Sequence, residues 1–544
     1  MSEPLRIVIA QINLHVGNFS LNTDKIIDSI DKADKKYNAD IIIFPELSVT
    51  GYPPEDLLYR KKFHDYVKKA IDSVSDHTKA VDVIIGHPLI HDNRMFNACS
   101  YISKGRIEGT YCKQVLPNYK VFDEKRYFEV GSEPFIFSLK GIPAALSICE
   151  DIWQPGPCMQ AKTAGARLVL NINASPYHIN KQTIRENILQ ERVADSGLNI
   201  VYVNLVGGQD ELIFDGGSMA INSEGNIDFT APRFTEDLYA LDFITDGTRN
   251  YFSNPENLSA GKTDEDEDIY NALVLGVRDY VKKNNFNGVV IGLSGGIDSA
   301  LTTSIAADAL GAENVETLIM PSRFTAKMSI DDAIEQSENL GIKYHIISIE
   351  ELFKTFTKTL KPVFTGYAPD ITEENIQARC RGTLLMSYSN KTGKLVLATG
   401  NKSELSVGYA TLYGDMAGGF SPLKDVSKTL VYRLAQWKNR QEQVIPRRVI
   451  DRPPSAELRE DQKDVDVLPP YEILDPVLEM YIEHDMDPET IINQGYDKNT
   501  VYEVVRLVDR NEYKRRQAAP GIRITERAFG RDRRYPITSG YREY

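Results

Sequence analysis

The chain contains 544 residues, which at about 150 residues per domain allows two large domains or three ordinary ones and excludes a single small module. Its 77 Asp and Glu outnumber its 63 Lys and Arg, for a formal net charge of −14. This balance argues against a general nucleic-acid or anionic-membrane binder, because such proteins usually present a basic surface. A composition of 42% hydrophobic and 26% charged residues is that of a globular protein. Small-molecule partners are therefore expected.

The longest apolar runs have the length of a strand, far below the roughly 18 residues that a membrane span requires. The first segment carries Glu3 where a signal peptide needs positive charge, and Gln11 and Asn13 interrupt its apolar run. The five cysteines form no CxxC pair and no even disulfide framework. We therefore predict a cytoplasmic protein with reduced thiols that binds neither membranes nor nucleic acid.

In chain order, short β-rich runs alternate with helical stretches such as residues 22–37 and 181–196 up to about residue 242, a pattern typical of layered α/β structure. The following segment is polar, with Gly, Pro and an acidic run. A helix is then predicted over residues 268–284, and the βαβ spacing after it predicts a parallel, doubly wound sheet. The predicted domains are residues 1–245 and 263–544, joined by a linker over residues 246–262.

Three residues of the N-terminal half form a candidate amide-hydrolysing site. Cys149, Glu46 and Lys113 each come at the end of a strand-like run, so all three would project from the same end of a sheet. A carboxylate can accept the thiol proton, the thiolate can attack an amide carbon, and an ammonium can stabilise the oxyanion. Taken alone, a free cysteine is more often a small buried hydrophobe. The neighbouring Cys112 would face away from Lys113 in a strand, so we expect it to be structural.

These residues and their flanking sequences resemble the nitrilase superfamily over roughly residues 5–240. The resemblance implies an αββα sandwich and a catalytic triad of Glu46, Lys113 and Cys149. Further segments are similar to the glutaminase domains of NAD synthetases: residues 116–119, 173–177 and 204–216. They imply that the substrate glutamine is held by Tyr119, Ser175 and Lys181. Glu150 is interpreted either as a support for the thiolate site or as a helix cap or salt-bridge partner.

A glycine-rich turn in the C-terminal half joins a strand-like run to a helix, so its backbone N–H groups and the helix dipole favour an anion. Ser294 and Ser299 can donate hydrogen bonds to phosphate, whereas Asp298 would repel phosphate unless a divalent cation lies between them. The turn lacks the Walker pattern, and a purely structural turn is the alternative. The loop therefore predicts a site for a magnesium nucleotide that includes Gly292, Leu293, Ser294, Gly295, Gly296, Ile297, Asp298 and Ser299.

This turn resembles the pyrophosphate loop of the ATP pyrophosphatase superfamily, whose members cleave ATP between the α and β phosphates to form an adenylate. Residues 374–379, 398–404 and 414–420 are similar to successive blocks of NAD synthetases, and the similarity covers most of residues 270–530. It implies a doubly wound sheet of the adenine nucleotide alpha-hydrolase type. The implied ATP contacts are Thr399, Lys428 and Ser455. The implied magnesium ligands are Asp298 and Glu404, and the implied deamido-NAD contacts are Asn375, Glu404 and Lys514.

Several features of the C-terminal half have a second possible interpretation. Lys428, taken singly, could equally be an ordinary surface lysine. Ammonia-dependent relatives carry a lysine and an aspartate where this chain has Leu412 and Gly419, so those dinucleotide contacts are made differently or not at all. Residues 511–534 hold eight Lys or Arg and three acidic residues, which indicates a local anion site or a solvated basic tail. Residues 451–458 resemble the flexible lid of the family.

Together the halves resemble glutamine-dependent NAD synthetases. The resemblance implies ATP-dependent amidation of deamido-NAD with ammonia from L-glutamine, through a cysteine thioester and a deamido-NAD adenylate. ATP and Mg²⁺ are then required, no tightly bound organic cofactor is expected, and a homo-oligomer would assemble through the synthetase domain. Two alternatives stay open. One is a related amidotransferase acting on another carboxylate, and the other is an ammonia-only NAD synthetase whose N-terminal domain is a non-catalytic interaction module.

Overall fold

The computed structural model describes residues 3–245, 249–256, 261, 264–460, 462 and 464–543. The chain divides into two compact units, Met1–Thr263 and Asp264–Tyr544. Residues 246–248, 257–260 and 262 of the predicted linker lie outside the described residues. Among the helices that are described, none has both the length and the apolar character needed to cross a bilayer.

Among the described residues, the first unit contains a seven-stranded sheet, a six-stranded sheet, the two-stranded sheet β10-β11 and four α-helices. Its strands are β1 (Leu5–Gln11), β2 (Ile41–Ile43), β3 (Asp82–His91), β4 (Arg94–Ser103), β5 (Arg106–Cys112), β6 (Ile136–Leu139), β7 (Ile142–Ile148), β8 (Leu168–Asn173), β9 (Asn199–Asn204), β10 (Val206–Gln209), β11 (Leu212–Asp215), β12 (Met219–Ile221), β13 (Ile227–Thr230), β14 (Asp237–Thr245) and β15 (Asn250–Ser253). Its helices are α1 (Phe19–Lys35), α2 (Lys61–His77), α3 (Pro155–Thr163) and α4 (Lys181–Ser196). Short 3₁₀ turns span Glu55–Tyr59, Glu124–Arg126 and Cys149–Trp153.

The seven-stranded sheet has the order β15-β14-β1-β2-β3-β4-β5, and the six-stranded sheet has the order β13-β12-β9-β8-β7-β6. The two sheets pack face to face. Successive side chains of a strand face opposite sides, so Ile7 and Ile9 of β1 pack with residues of the second sheet. Val8 of β1 packs instead with residues of α1 and α2. On the outer face of the second sheet, Val169 packs with Leu189 of α4. The predicted αββα sandwich is confirmed.

The described part of the predicted linker contains a β-strand. Asn250–Ser253 form β15, which pairs antiparallel with β14, Thr245 opposite Asn250 and Asp242 opposite Ser253. The strand is short and carries no clear alternation, so the sequence pattern does not mark it. The acidic run lies at the start of α5, which begins at Glu265 and not at the predicted residue 268. Asp264 caps the helix and residues 265–268 fill its first turn, where negative charge is stabilising.

The second unit is a small sheet surrounded by helices. Its strands are β16 (Val289–Gly292), β17 (Val315–Ile319), β18 (Lys343–Ile346) and β19 (Leu395–Leu397). Its helices are α5 (Glu265–Lys283), α6 (Ile297–Leu310), α7 (Lys327–Asn339), α8 (Glu350–Leu360), α9 (Ile371–Thr392), α10 (Lys402–Val407), α11 (Lys428–Gln441), α12 (Arg447–Asp451), α13 (Tyr471–Ile482), α14 (Pro488–Asn493), α15 (Lys498–Arg510) and α16 (Glu512–Arg515). Two 3₁₀ turns span Ala312–Asn314 and Asp464–Asp466.

The four strands lie in the order β18-β17-β16-β19, and every pair is parallel. Leu318 of β17 packs on one face against residues of α8 and α9, whereas Ile319 packs on the other against Ala333 of α7. Helices therefore cover both faces, which confirms the predicted doubly wound parallel sheet. The loops that follow β16 and β19 leave the sheet at the carboxyl ends of its strands, because neighbouring parallel strands end on the same side. The predicted nucleotide site lies at this end of the sheet.

Candidate active sites

The three residues predicted as a catalytic triad lie at strand ends in the first unit. Glu46 follows β2, Lys113 follows β5, and Cys149 opens the 3₁₀ turn directly after β7. Cys149 has a φ of 43°, in the left-handed region that residues other than glycine rarely adopt and that recurs at active sites. All three side chains are buried, and the Lys113 Nζ lies 2.8 Å from the Glu46 Oε1.

Three donors hold the Glu46 carboxylate. The Asn97 side chain and the Lys113 ammonium donate to its Oε1 at 2.7 and 2.8 Å, and the Ala174 backbone N–H donates to its Oε2 at 3.0 Å. Burial raises the pKa of the Cys149 thiol well above its ordinary value; the charge of Glu46 raises it further and that of Lys113 opposes this. The free thiol is therefore neutral and needs a base to become a nucleophile.

Glu124 is a buried residue of this site that sequence reasoning missed. The Lys113 Nζ donates to both of its carboxylate oxygens, at 2.8 and 2.9 Å, and Tyr52 donates at 3.1 Å. Burial raises the pKa of Glu124, although the charge of Lys113 opposes the shift. Burial lowers the pKa of Lys113, but Glu124 and Glu46 outweigh it, so the pKa lies well above its ordinary value. The lysine therefore stays charged.

Asp151 connects the two segments that carry the cysteine and the lysine. Its Oδ1 accepts from the backbone N–H groups of Gln114 and Val115 at 3.0 and 2.8 Å. Its Oδ2 accepts from the backbone N–H of Ile148 at 3.0 Å and from the hydroxyl of Tyr111 at 2.8 Å. The carboxylate thus ties the residues after Lys113 to the residue before Cys149.

Two of the predicted glutamine contacts surround the turn that begins at Cys149. Tyr119 is half-exposed and donates to the Glu150 Oε1 at 2.8 Å. The Lys181 Nζ lies 4.0 Å from the ring centroid of Trp153. Burial, helped by the charge of Arg185, lowers the pKa of Lys181 to about 8, and the Cys149 thiol acts on it in the opposite direction. The Tyr119 contact gives Glu150 a hydrogen-bonding partner within the site.

The third predicted contact, Ser175, is buried. Its backbone N–H donates to the Asn204 Oδ1 at 2.9 Å, and its Oγ accepts from the Arg185 Nε at 3.3 Å. Arg185 is itself fully buried in an ion pair with Asp215, at 2.9 Å. Arg185 therefore holds Ser175 in place, a role that no local sequence pattern indicates.

The predicted phosphate loop joins β16 to α6. Gly295 has a φ of +80°, and a Cβ there would lie 2.2 Å from the Ser329 carbonyl oxygen, so only glycine fits. The hydroxyls of Ser294 and Ser299 lie 3.1 Å apart, and the Gly296 N–H donates to the Ser294 Oγ at 3.1 Å. A cavity of about 640 Å³ opens at this loop; its walls include Ser294, Gly296, Ile297, Asp298, Ser299, Thr399, Glu404, Lys428 and Ser455.

A second cavity of about 250 Å³ also borders this loop. It shares Ser294, Gly296, Thr399 and Ser455 with the first cavity. It extends along the ends of β16 and β17 to residues that include Gly292, Leu293, Met320 and Arg381. The structure thus brings most of the predicted ATP contacts to one pair of adjoining cavities.

Asp298 and Glu404 converge on the ammonium of Lys428. The Lys428 Nζ lies 2.6 Å from the Asp298 Oδ2 and 3.3 Å from the Glu404 Oε1. The Asn401 side chain donates to the Asp298 Oδ1 at 2.8 Å and accepts from the Glu404 N–H at 2.9 Å. Lys428 is 2% exposed, which excludes an ordinary surface lysine. Burial raises the pKa of Glu404, and the charge of Lys428 opposes the shift.

This pair of carboxylates fits a magnesium ion. Both carboxylates lie at the same ammonium, and Mg²⁺ prefers such hard oxygen ligands, so Asp298 and Glu404 are the residues that would hold the ion. Within the described ranges, no group of three or more His, Cys, Asp or Glu side chains is arranged to hold a metal. An ion at Asp298 and Glu404 would therefore complete its coordination with phosphate oxygens and water, as magnesium commonly does.

Two predicted deamido-NAD contacts, Asn375 and Lys514, bind to the same loop, residues 408–411, and neither side chain lines the two cavities. The Thr411 hydroxyl donates to the Asn375 Oδ1 at 2.7 Å. The Lys514 Nζ donates to the carbonyls of Gly408 and Ala410, at 2.7 and 2.9 Å. Burial lowers the pKa of Lys514. The third predicted contact, Glu404, lies on the wall of the larger cavity, as do Tyr409 and Ala410 of this loop.

Comparison with known proteins finds a matching family for each of the two units. A profile of the carbon-nitrogen hydrolase family matches residues 6–246, and a profile of the NAD synthase family matches residues 269–518. The glutamine-dependent NAD(+) synthetase of Acinetobacter baylyi is 48% identical over 545 residues, which cover 99% of each chain. The chain belongs to the glutamine-dependent NAD(+) synthetase family. The Thermotoga maritima member of the family is 44% identical over 99% of each chain.

Solved structures of the same family resemble the whole chain. The glutamine-dependent NAD+ synthetase of Acinetobacter baumannii, solved with ADP, has 46% sequence identity and a TM-score of 0.80, covering 100% of each chain. The synthetase of Cytophaga hutchinsonii has a TM-score of 0.85 at 23% identity, covering 99% of this chain and 98% of its own. The second likeness supports the fold.

The structure explains one of the two departures from the ammonia-dependent synthetases. A Cβ at Gly419 would lie 2.3 Å from the Leu395 Cδ1, so an aspartate there would have to displace that side chain. The Leu412 carbonyl accepts from the Arg379 Nε at 3.2 Å, and nothing in the structure explains the leucine side chain.

The basic C-terminal segment is folded into ion pairs. Glu512 accepts from Arg515, Arg516 and Arg533 at 3.0, 2.8 and 2.8 Å. Arg523 lies 3.0 Å from Asp532. Arg515, Arg523 and Arg533 are buried, so the solvated-tail alternative is wrong for them. Anion binding by this segment stays a prediction.

Proposed function

We propose that this chain is a glutamine-hydrolysing NAD synthase, which amidates deamido-NAD at the expense of ATP with ammonia taken from L-glutamine. The observation that carries the proposal is the coexistence of two complete sites in one chain. A buried Glu-Lys-Cys set lies in the carbon-nitrogen hydrolase unit, and a phosphate loop with two facing carboxylates lies in the NAD synthase unit.

In the first unit, Glu46 accepts the proton of the neutral Cys149 thiol, and the thiolate attacks the side-chain amide carbon of glutamine. The Lys113 ammonium stabilises the oxyanion of the tetrahedral intermediate. Collapse breaks the C–N bond, the departing nitrogen takes the proton from Glu46, and ammonia leaves. Water then hydrolyses the thioester to glutamate and restores the thiol. Tyr119, Ser175 and Lys181 hold the glutamine.

In the second unit, the nicotinate carboxylate of deamido-NAD attacks the α-phosphorus of ATP and expels pyrophosphate. The loop from Gly292 to Ser299 binds the phosphates through its N–H groups and hydroxyls, with Thr399, Lys428 and Ser455 on the cavity walls. Mg²⁺ held by Asp298 and Glu404 would neutralise phosphate charge. Asn375 and Lys514 position the dinucleotide. Ammonia then attacks the adenylate carbonyl, and AMP leaves as NAD forms.

Three further features belong to the proposal as predictions. The domains comprise residues 1–245 and 263–544 with a linker over residues 246–262. The chain assembles as a homo-oligomer through the synthetase unit, in line with the general preference for closed symmetric assemblies. The enzyme acts in the cytoplasm, where its five free cysteines stay reduced.

The test is NAD formation from deamido-NAD and ATP with Mg²⁺, with either glutamine or ammonium chloride as the nitrogen source. Both donors are expected to support synthesis. Activity with ammonium chloride alone would favour a non-catalytic N-terminal domain. If neither donor gives NAD while glutamine is still hydrolysed, the substrate is another carboxylate.

The pKa of Lys181 predicts how glutamine binding changes with pH. Its ammonium form pairs with the glutamine α-carboxylate, and with a pKa of about 8 this form falls from about nine-tenths at pH 7 to about one-tenth at pH 9. The KM for glutamine of the wild-type enzyme should therefore rise about tenfold across this interval. Initial rates at varied glutamine concentration measure it.

Lys181→Gln should raise the KM for glutamine at pH 7 and remove the pH dependence that comes from Lys181. The α-amino group of glutamine also titrates, but its contribution is the same for both proteins. Lys140→Gln is the control, because Lys140 lies at the surface, 2.7 Å from Asp40, and should leave the profile as in the wild type. A Lys181→Gln profile parallel to the wild type would exclude this role.

A further inference from the structure

Arg452 lies on the walls of both nucleotide cavities. Its guanidinium donates from Nη2 to the carbonyl oxygen of Gly295, in the middle of the phosphate loop. It donates from Nη1 to the Ser329 Oγ at 2.9 Å. The side chain is 23% exposed, so it faces the cavity space without extending into bulk solvent. Arg452 belongs to the segment that resembles the family's lid, residues 451–458, but none of the substrate contacts assigned above includes it.

The charge of Arg452 is not paired by a hydrogen-bonded carboxylate among the residues that the structure describes. The nearest carboxylate oxygens, the Asp332 Oδ2 and the Glu457 Oε1, each lie 4.0 Å away. Asp332 instead accepts two hydrogen bonds from Arg448 through its Oδ1, at 3.0 and 2.7 Å. The Glu457 Oε1 accepts from the Ser329 Oγ at 2.6 Å.

Two other cations, Lys428 and Arg459, line the larger cavity, and each has a closer carboxylate than Arg452 has. Arg459 lies 3.7 Å from the Glu374 Oε1 and 3.5 Å from the Asp466 Oδ2. Lys428 is bound to Asp298 at 2.6 Å and also contacts Glu404, so its charge is largely balanced within the protein. Within the described part of the chain, the hydrogen-bond acceptors of Arg452 are a carbonyl and a hydroxyl. Charge-assisted bonds from a guanidinium to a phosphate are stronger than bonds to such neutral acceptors. An entering phosphate is therefore the better partner for Arg452.

We propose that Arg452 is a further substrate-binding residue, whose guanidinium binds the β and γ phosphates of ATP, the part that leaves as pyrophosphate. The phosphate loop attracts anions through its N–H groups and the N-terminus of α6, and Arg452 reaches the centre of that same loop. It would hold the phosphates in the ground state and balance the charge that develops on the departing pyrophosphate. The inference rests on the proposed use of ATP and assigns a residue to it.

The test measures equilibrium binding by titration calorimetry on the full chain, with Mg²⁺ present and with ATP, inorganic pyrophosphate and AMP as separate probes. Arg452→Gln should weaken binding of ATP and of pyrophosphate by about tenfold or more, the usual effect of losing a hydrogen bond to a charged group. AMP lacks the β and γ phosphates and should bind as to the wild type. Arg452→Lys keeps the charge but loses the fork, and should give intermediate affinities.

Arg447→Gln is the matched control, because it removes a nearby cation whose exposed side chain lies 3.3 Å from Asp451 and belongs to neither cavity wall. It should leave the affinity for pyrophosphate unchanged. Thermal unfolding of each variant checks the fold, and Arg452→Lys replaces Arg452→Gln if the latter does not fold.

Unchanged pyrophosphate affinity in the Arg452 variants would overturn the proposal. An equal loss for AMP would also overturn it, because Arg452 would then only shape the cavity. The result of this binding test does not depend on whether the proposed overall reaction is correct. If the wild type makes no NAD but its pyrophosphate affinity depends on Arg452, the proposed function fails and this assignment stands.

Discussion

Cys149→Ala is expected to lower glutamine-driven NAD formation by about three orders of magnitude or more, the usual scale for removal of a covalent nucleophile. Ammonium-driven formation should stay close to that of the wild type, because the phosphate loop, Asp298 and Glu404 all belong to the second unit. The physical reason is that the thioester cannot form without the thiol, whereas supplied ammonia bypasses that step. Initial rates of NAD formation with each donor measure the effect.

Cys112→Ala is the matched control. Cys112 ends β5 directly before Lys113 and is half-buried, so the variant removes a neighbouring thiol and leaves the triad intact. It should use glutamine as the wild type does. Continued use of glutamine by Cys149→Ala would exclude Cys149 as the nucleophile.

Asp298→Asn is expected to lower NAD formation by about two to three orders of magnitude with both nitrogen sources. The amide is a poorer ligand for Mg²⁺ than a carboxylate, and it takes away the anion that lies 2.6 Å from the Lys428 ammonium. Loss of charge complementarity at a reacting phosphate typically has effects of this size. The loss should be equal for glutamine and ammonium chloride, since adenylate formation precedes the use of ammonia from either source.

Asp331→Asn is the control for this change. Asp331 lies in α7, and its partly exposed side chain is paired with Lys327 at 2.8 Å, so its replacement should leave both rates unchanged. A normal ammonium-driven rate in Asp298→Asn would contradict the assignment of Asp298 to the ATP site. The midpoint of thermal unfolding shows whether the variant keeps its fold.

Much of the fold can be predicted from local sequence patterns. Short β-rich runs predicted many of the strands, and the helix predicted over residues 181–196 coincides with α4, because strand and helix preferences and flanking turns act over a few residues. The same local logic found Glu46, Lys113 and Cys149, since each stands at the end of a strand. The phosphate loop was also predictable, because its glycines and hydroxyls are consecutive residues between a strand and a helix.

Sequence by itself therefore determined the fold class, the strand-end triad and the phosphate loop of this protein. Only the tertiary structure revealed that Glu124 shares Lys113 with Glu46, that Asp151 ties the cysteine turn to the residues after the lysine, and that Arg452 reaches Gly295 across 157 positions of the chain. These side chains lie in loops and turns that have no periodicity. Their partners are chosen by long-range packing and by the need to satisfy buried charges, which no local pattern records.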